Sequence, residues 1–301
     1  MLSGNIPFIV KSRGNNELIQ NLKKDKDPIL FDGLHTTYIL NLSDFKKRKL
    51  FLRAHNVEHK FYKGLADSES NMFRRNFFKQ ESKKLKTYEN ILNVMNCVFP
   101  ISPLEQTYFS TKYGEKCTYI PAFHEDQIHT THDKRGAFIL YHGNILVSEN
   151  VKAALFLINV YKNSSYPLVI ASSYFNDEIN KEILKYDNMT FQSLSNQKDL
   201  DRLFENAHIN VLPTFQNTGI KLKLLNTLYQ GKFVIANDDM IDHTGLESLC
   251  EKANTQEEFL QKTEELLQRD FSQDILKKRK KVLQNFSPKE SAKKLVEQLF
   301  M

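Results

Sequence analysis

Short apolar runs alternate with helix-spaced segments along the second half of the chain. Ala137-Phe138-Ile139-Leu140-Tyr141-His142-Gly143 is a strand ending at a glycine, and Val151 to Lys162 follows with Ala154, Leu155, Ile158 and Tyr161 at helical spacing. The same reading predicts strands over Pro167 to Ala171, Asn188 to Phe191, Ile209 to Pro213 and Lys232 to Ala236. Helices are predicted over Asp199 to Ala207 and Ile220 to Gln230, the latter stopped by Gly231 at its C-terminal side. Apolar strands that alternate with helices imply a parallel sheet covered on both faces.

The first half is less regular. Pro28 to Phe31, Lys49 to Arg53 and Cys97 to Ile101 are strand candidates. A long helix is predicted over Ser68 to Leu92, with Phe73, Phe77, Leu85, Tyr88 and Leu92 on its buried side. Ser102-Pro103-Leu104-Glu105 opens a helix with Ser as N-cap, Pro at the first helical position and Glu at the third. Thr255 to Glu258 and Ser287 to Glu290 repeat the capping device, so the chain ends in three helices. The polar, aperiodic stretch His124 to Arg135 marks a domain boundary. The division is then 1–130, an N-terminal α/β domain, and 131–285, a second α/β domain, with 286–301 as a C-terminal helix able to cross back to the first.

With 301 residues the chain accommodates two domains, and 41% hydrophobic against 26% charged residues is a globular balance. No run of 18 apolar residues is present, and the first residues lack the core and cleavage site of a secretory signal. Cys97, Cys117 and Cys250 are far apart and odd in number, which gives no disulfide or metal pattern and fits a cytoplasmic location. The formal charge of +6 suits an anionic ligand, an anionic membrane face or simple solubility. It is too modest, without a recognisable reader module, for nucleic-acid binding.

The most informative stretch is Leu212 to Gly231, which runs from a strand through Pro213-Thr214-Phe215-Gln216-Asn217-Thr218-Gly219 into a helix. Unpaired N–H groups and the dipole at such a helix start attract anions. Gly219 allows a diphosphate close to the backbone. Lys221 and Lys223 oppose the dipole in the first turn, which makes sense beside a bound anion; the alternative is that both are solvated surface lysines.

Tyr141-His142-Gly143-Asn144, Pro213-Thr214, Thr218 to Asn226 (TGIKLKLLN) and Gly231 to Ile235 resemble the C-terminal domain of family-4 (group 1), retaining GT-B glycosyltransferases. Arg53 to Tyr62 (RAHNVEHKFY) and Ile101-Ser102-Pro103 resemble parts of their acceptor domain. The similarity runs from about Pro28 to the end, and in detail looks like bacterial, Bacteroidetes-like members. It implies an α/β fold of two Rossmann-like domains facing across a cleft. It implies transfer of a hexosyl-type sugar, with retention, from a nucleotide-sugar donor to a glycan or lipid-linked hydroxyl in polysaccharide biosynthesis. No cofactor or metal is implied, since basic residues and helix dipoles hold the leaving diphosphate. Gly143, Asn144, Thr218, Gly219, Lys221, Lys223 and Asn226 are the donor-binding candidates.

The pattern departs from the family in two places. Many members carry two glutamates eight residues apart where this chain has Thr218 and Asn226; Asn226 still offers hydrogen bonds to a hydroxyl. The front is also short of a first strand and glycine-rich loop, so the first domain is expected to be incomplete, with an exposed edge strand. These departures keep a second reading in view: a non-catalytic nucleotide-sugar-binding or partner module, or a truncated fragment of such an enzyme.

On the acceptor side, His35 follows the strand-and-turn Phe31-Asp32-Gly33, at the strand end where α/β proteins bind ligands. Arg53, His55, Asn56 and Glu58 end the next strand, and alternation directs Arg53 and His55 to the same side. With His35 they are the catalytic candidates; the alternatives are a turn-forming histidine and a polar loop whose groups satisfy one another. The order His55-Asn56-Val57-Glu58-His59 is not the zinc-binding H-E-x-x-H, which argues against metal. Arg74, Arg75, Lys79, Lys83, Lys84 and Lys86 stud the long helix, either as a solvated face or as a contact to the inner face of a membrane.

Overall fold

The computed structural model describes residues 5–42, 45, 47–124, 128–130, 134–216 and 222–300. The chain divides into two compact units. One takes Met1–Phe123 and Pro288–Met301; the other takes His124–Asn217 and Lys221–Ser287.

The first unit is built on a three-stranded parallel sheet of β1 (Ile29–Asp32), β2 (Leu50–Ala54) and β3 (Cys97–Pro100), in that order. Its strands are apolar on both faces because both are covered. Ile29, Phe31, Leu50, Leu52 and Val98 pack with Ile39, Leu85, Leu92 and Phe109 on one side. On the other, Phe51, Cys97 and Phe99 pack with Ile120 and with Leu295 of the terminal helix Pro288–Phe300. The Glu58–Ser68 and Met72–Tyr88 helices lie between β2 and β3 in sequence.

The predicted long helix is shorter at both ends. It starts at Met72, where the Asn71 side chain accepts from the N–H groups of Phe73 and Arg74, and gives way to a 3-10 turn over Glu89–Val94. Leu85 and Leu92 are buried as expected, but Phe73 is 83% exposed. It stands in the first helical turn, next to the connection from the preceding helix, rather than in the stretch that carries Leu85 onto the core.

The second unit has a parallel sheet in the order β6-β5-β4-β7-β8-β9. The strands are β4 (Phe138–His142), β5 (Leu168–Ser172), β6 (Met189–Ser193), β7 (Ala207–Leu212), β8 (Phe233–Ala236) and the short β9 (Glu251–Lys252). This is the doubly wound order: connections from β4 run one way and those from β7 the other, so the strand order reverses between them. Ile139, Tyr141, Ile170, Ile209, Val211 and Ile235 form the larger core face, and Leu140, Ala171, Phe204 and Ala207 the smaller.

Gly231 does follow the Leu222–Gln230 helix, but not as a left-handed cap, since Gly33, Gly114 and Gly245 are the described glycines with positive φ. Its role is space: a Cβ there would sit 2.4 Å from the Asn210 amide nitrogen. The capping devices at Ser102 and Thr255 form, with Glu105 and Glu258 N–H groups donating to the two hydroxyls at 3.3 and 3.2 Å. The three cysteines are free thiols, and among the described residues no helix is long and apolar enough to cross a membrane.

Candidate active site

The carboxyl ends of β4 and β7 define the crevice where open α/β sheets take ligands. β4 ends at His142, and Gly143-Asn144 turns the chain toward the Ser148–Tyr161 helix. The Gly143 N–H donates to Ala171 O at 3.1 Å, and the Asn144 carbonyl accepts from the Asn150 amide at 2.9 Å. From the other side comes the Leu222–Gln230 helix, where Lys223 sits in the first described turn. Its ammonium donates to Asn150 Oδ1 at 2.9 Å and lies 4.8 Å from the centre of the Tyr141 ring. A Cβ on Gly143 would stand 2.9 Å from that ammonium, so glycine here keeps the strand-end turn open to a cation.

Gly143, Asn144 and Lys223 are therefore brought together, through Asn150. Asn226 is half-buried, on the stripe it shares with Leu222 and Gln230 at i, i+4 spacing. Thr218, Gly219 and Lys221 lie outside the described residues.

The sequence reading missed the frame around this cation. The Thr214 hydroxyl donates to the Glu149 carboxylate. Thr214 and Asn237 exchange two bonds, Thr214 N to Asn237 Oδ1 at 2.9 Å and Asn237 Nδ2 to Thr214 O at 2.5 Å. These tie the loops after β7 and β8 to each other and to the first turn of the Ser148–Tyr161 helix. Beneath them the His142 ring is 3.1 Å from the Thr227 hydroxyl, which donates to Lys223 O at 2.8 Å. Thr214 stands in the Pro213-Thr214 pair that carries part of the family resemblance, whereas only its position at a strand end signals Asn237 in the sequence.

Burial, and secondarily the Lys223 ammonium, push His142 from its ordinary 6.5 down to about 3. The unfolded chain therefore takes up this proton first as pH falls, and stability is lost from pH 6.5 down towards 3. The slope is about 1.4 kcal/mol per pH unit, so about 2 kcal/mol is lost by pH 5. Urea unfolding at pH 7.5 and pH 5 should show this loss in the parent and a much smaller one in His142→Gln. An unchanged pH dependence in the variant would assign the effect elsewhere.

In the first unit, Gly33 at φ 93° follows β1, and the His35 ring folds over it, with Cε1 2.5 Å from where a Gly33 Cβ would be. Only glycine fits that turn. Burial lowers the His35 pKa, with Arg13 and His55 adding to the effect and Asp32 opposing it. His55 Nε2 lies 2.7 Å from Asp32 Oδ1. Arg53 is the β2 partner of Asp32; it is buried, donates to Pro121 O at 2.5 Å and lies 4.6 Å from the Phe123 ring centre. His35, Arg53 and His55 thus surround Asp32, a carboxylate the sequence reading did not select.

Asn56 lies in the bend before the Glu58–Ser68 helix. Glu58 opens that helix, and burial pushes its carboxyl up to about 7; its charge bears on Tyr62. His59 Nδ1 lies 3.4 Å from Glu89 Oε2, so His55 and His59 have different carboxylate partners. The strand-end clusters offer hydrogen bonds and charge to a polar ligand: a cation beside an open turn in one unit, and imidazoles with a guanidinium in the other.

Residues 136–269 match the family of group 1 glycosyl transferases. That stretch holds Gly143, Asn144, Lys223 and their frame. Among curated proteins, the chain is 24% identical over 261 residues to an uncharacterised 44.6 kDa protein of the cps region of Klebsiella pneumoniae, covering 80% of this chain and 64% of that one. Among solved structures, TarM aligns over 94% of this chain and 57% of its own, with a TM-score of 0.67 and 14% identity. HepE from Anabaena, solved with UDP, aligns over 94% of this chain and 80% of its own, with a TM-score of 0.70 and 11% identity. The chain thus spans under two thirds of the Klebsiella relative and of TarM. The fold is the α/β one of the GT-B glycosyltransferases, with a parallel sheet in each unit.

Proposed function

We propose that the chain is a glycosyltransferase that moves a sugar from a nucleotide diphosphate donor to a hydroxyl of a glycan or lipid-linked acceptor. The observation that carries this reading is the Lys223 ammonium, 2.9 Å from Asn150 Oδ1 beside Gly143 at the reversal of strand order. A diphosphate there meets a cation and a glycine turn. In the reaction the bond from the sugar's anomeric carbon to the diphosphate oxygen breaks. The acceptor oxygen bonds that carbon on the same face, and the acceptor proton passes to the departing diphosphate. Lys223 neutralises the charge that develops on the leaving group, so no metal is required. In the first unit His35, Arg53, His55, Asn56 and Glu58 serve the acceptor and the transferred sugar.

The relatives support this reading in their own terms. HepE was solved with UDP and glucose, a TarM variant with UDP and a GlcNAc-glycerol, and the Klebsiella protein lies in a cps region. The test is a calorimetric panel of UDP-, GDP- and ADP-sugars against the full chain, followed by turnover of any that bind. At least one should bind and be consumed, with the product's linkage configuration retained. Absence of binding across the panel overturns the reading. Binding without turnover favours a nucleotide-sugar-binding module instead, to which Thr218 and Asn226, at positions acidic in many members, already point.

A further inference from the structure

Arg279 leaves one hydrogen-bond donor unused at a pocket that the sugar-transfer reading does not involve. The pocket, of about 140 Å³, lies at the amino ends of β8 and β9, whereas the donor crevice lies at the carboxyl ends of the same sheet. Arg279 is 1% exposed, and its Nη1 and Nη2 donate to the carbonyls of Leu228, Gly231 and Lys232. None of those three residues lines the pocket, whereas Arg279 does. The part of Arg279 that borders it is therefore the stem with Nε, and that N–H has no hydrogen-bond partner among the described residues. A buried charged donor without an acceptor is costly, so an acceptor held in the pocket is favoured.

The other charged groups on the wall are Arg269, Lys278 and Glu251. Arg269 lies 2.9 Å from Glu251 Oε1 and so offsets that carboxylate, and its guanidinium is 5.4 Å from the centre of the Phe233 ring. Lys278 Nζ donates to Ser248 O at 3.0 Å, and an ammonium has two further N–H groups to give. The wall thus carries three cations against one carboxylate. Burial pushes the Cys250 thiol up to about 12, so its sulfur adds no negative charge at neutral pH. Phe233, Val234 and Ile275 supply apolar wall, where charges are screened less than in water. A water satisfies the Nε–H but leaves the excess positive charge in place. A carboxylate matches one planar guanidinium edge, whereas cations converging from two helix ends and a strand edge match a tetrahedral anion with oxygens on every side. We propose that this pocket binds a phosphoryl group, as free phosphate or as the end of a small phosphate monoester, with one oxygen on the Arg279 Nε–H and the others on Arg269 and Lys278. The site does not rest on the sugar-transfer reading, since it uses none of the residues assigned to that reaction.

The experiment is calorimetry of the full chain with inorganic phosphate and with glycerol phosphate at constant ionic strength, with acetate as a planar control. Lys223→Ala is titrated beside the parent, because the donor crevice is itself expected to attract phosphate. Lys223→Ala should retain a phosphate site, and that site should prefer phosphate to acetate. Tighter binding of glycerol phosphate assigns the monoester and tighter binding of phosphate assigns the free anion; both support the pocket. Lys278→Glu should weaken phosphate on the order of 10-fold or more. Lys280→Glu makes the same charge change at a lysine of the same helix that does not line the pocket, and should leave the affinity within about twofold. Both lysines are exposed, so both variants should melt at the parent's temperature, and Lys278→Gln replaces Lys278→Glu if the latter melts lower. The proposal is overturned if phosphate does not bind, if Lys223→Ala abolishes its binding, if acetate binds as tightly, or if the Lys278 and Lys280 variants weaken it equally.

Discussion

Lys223→Ala should lower the rate of sugar transfer by about 10²- to 10³-fold, the range seen when a single preorganised donor to a developing negative charge is removed. The reason is local. Lys223 is half-buried in a frame of Tyr141, Gly143 and Asn150, so its charge acts where bulk water does little screening. Its loss should weaken a nucleoside diphosphate strongly and the bare nucleoside little, because the ammonium addresses phosphate. Lys223→Arg should rescue only part of the loss, since the planar guanidinium does not fit beside Gly143 as a compact ammonium does. Calorimetry with diphosphate and nucleoside, beside turnover of the parent and both variants, reads this directly. If Lys223→Ala weakens both ligands equally, or neither, Lys223 is a structural lysine and the diphosphate lies elsewhere.

The inner strands of the second unit, β5, β4, β7 and β8, were legible because they are buried on both faces, which makes each a short apolar run between helices; Ile139, Ile170, Val211 and Ile235 all lie in one core, whereas the two-residue edge strand Glu251–Lys252 carries no such pattern. The first unit's strands were found for the same reason, and the Ser102 and Thr255 caps by their side-chain chemistry. What escaped was set by partners distant in sequence. Phe73 has the spacing of a core residue, but where its helix starts decides that it meets solvent. Gly231 has the position of a cap, but its lack of a side chain serves Asn210. In the candidate site, Gly143, Asn144 and Lys223 were selected individually, whereas the Asn150 that joins them is 73 residues from Lys223 and follows no local pattern. Asp32 escaped in the first unit because its importance comes from His55, across the end of the neighbouring strand.

The helix that carries Lys223 has its other end held by a buried cation, and Arg279→Met should destabilise the protein by about 3–5 kcal/mol. Arg279 is 1% exposed, and its guanidinium donates to Leu228 O at 3.1 Å, to Gly231 O at 2.5 Å and to Lys232 O. Those carbonyls close the Leu222–Gln230 helix and begin β8. A cation there complements the helix dipole and satisfies acceptors that water cannot reach. Burial lowers the Arg279 pKa only to about 10, so the group remains charged at neutral pH, and the Phe271 ring 4.8 Å away covers its face. Methionine fills much of the volume but leaves the acceptors unpaired, which separates the hydrogen-bonding loss from a cavity effect. Arg279→Lys restores the charge with fewer donors and should lie between the two. At roughly 2–4 °C per kcal/mol for a domain of this size, Arg279→Met should melt about 10 °C below the parent, read by thermal and urea unfolding. A loss under about 1 kcal/mol, within the range of an ordinary surface substitution, would mean that the carbonyls find other partners and that the donor helix is anchored by its apolar face alone.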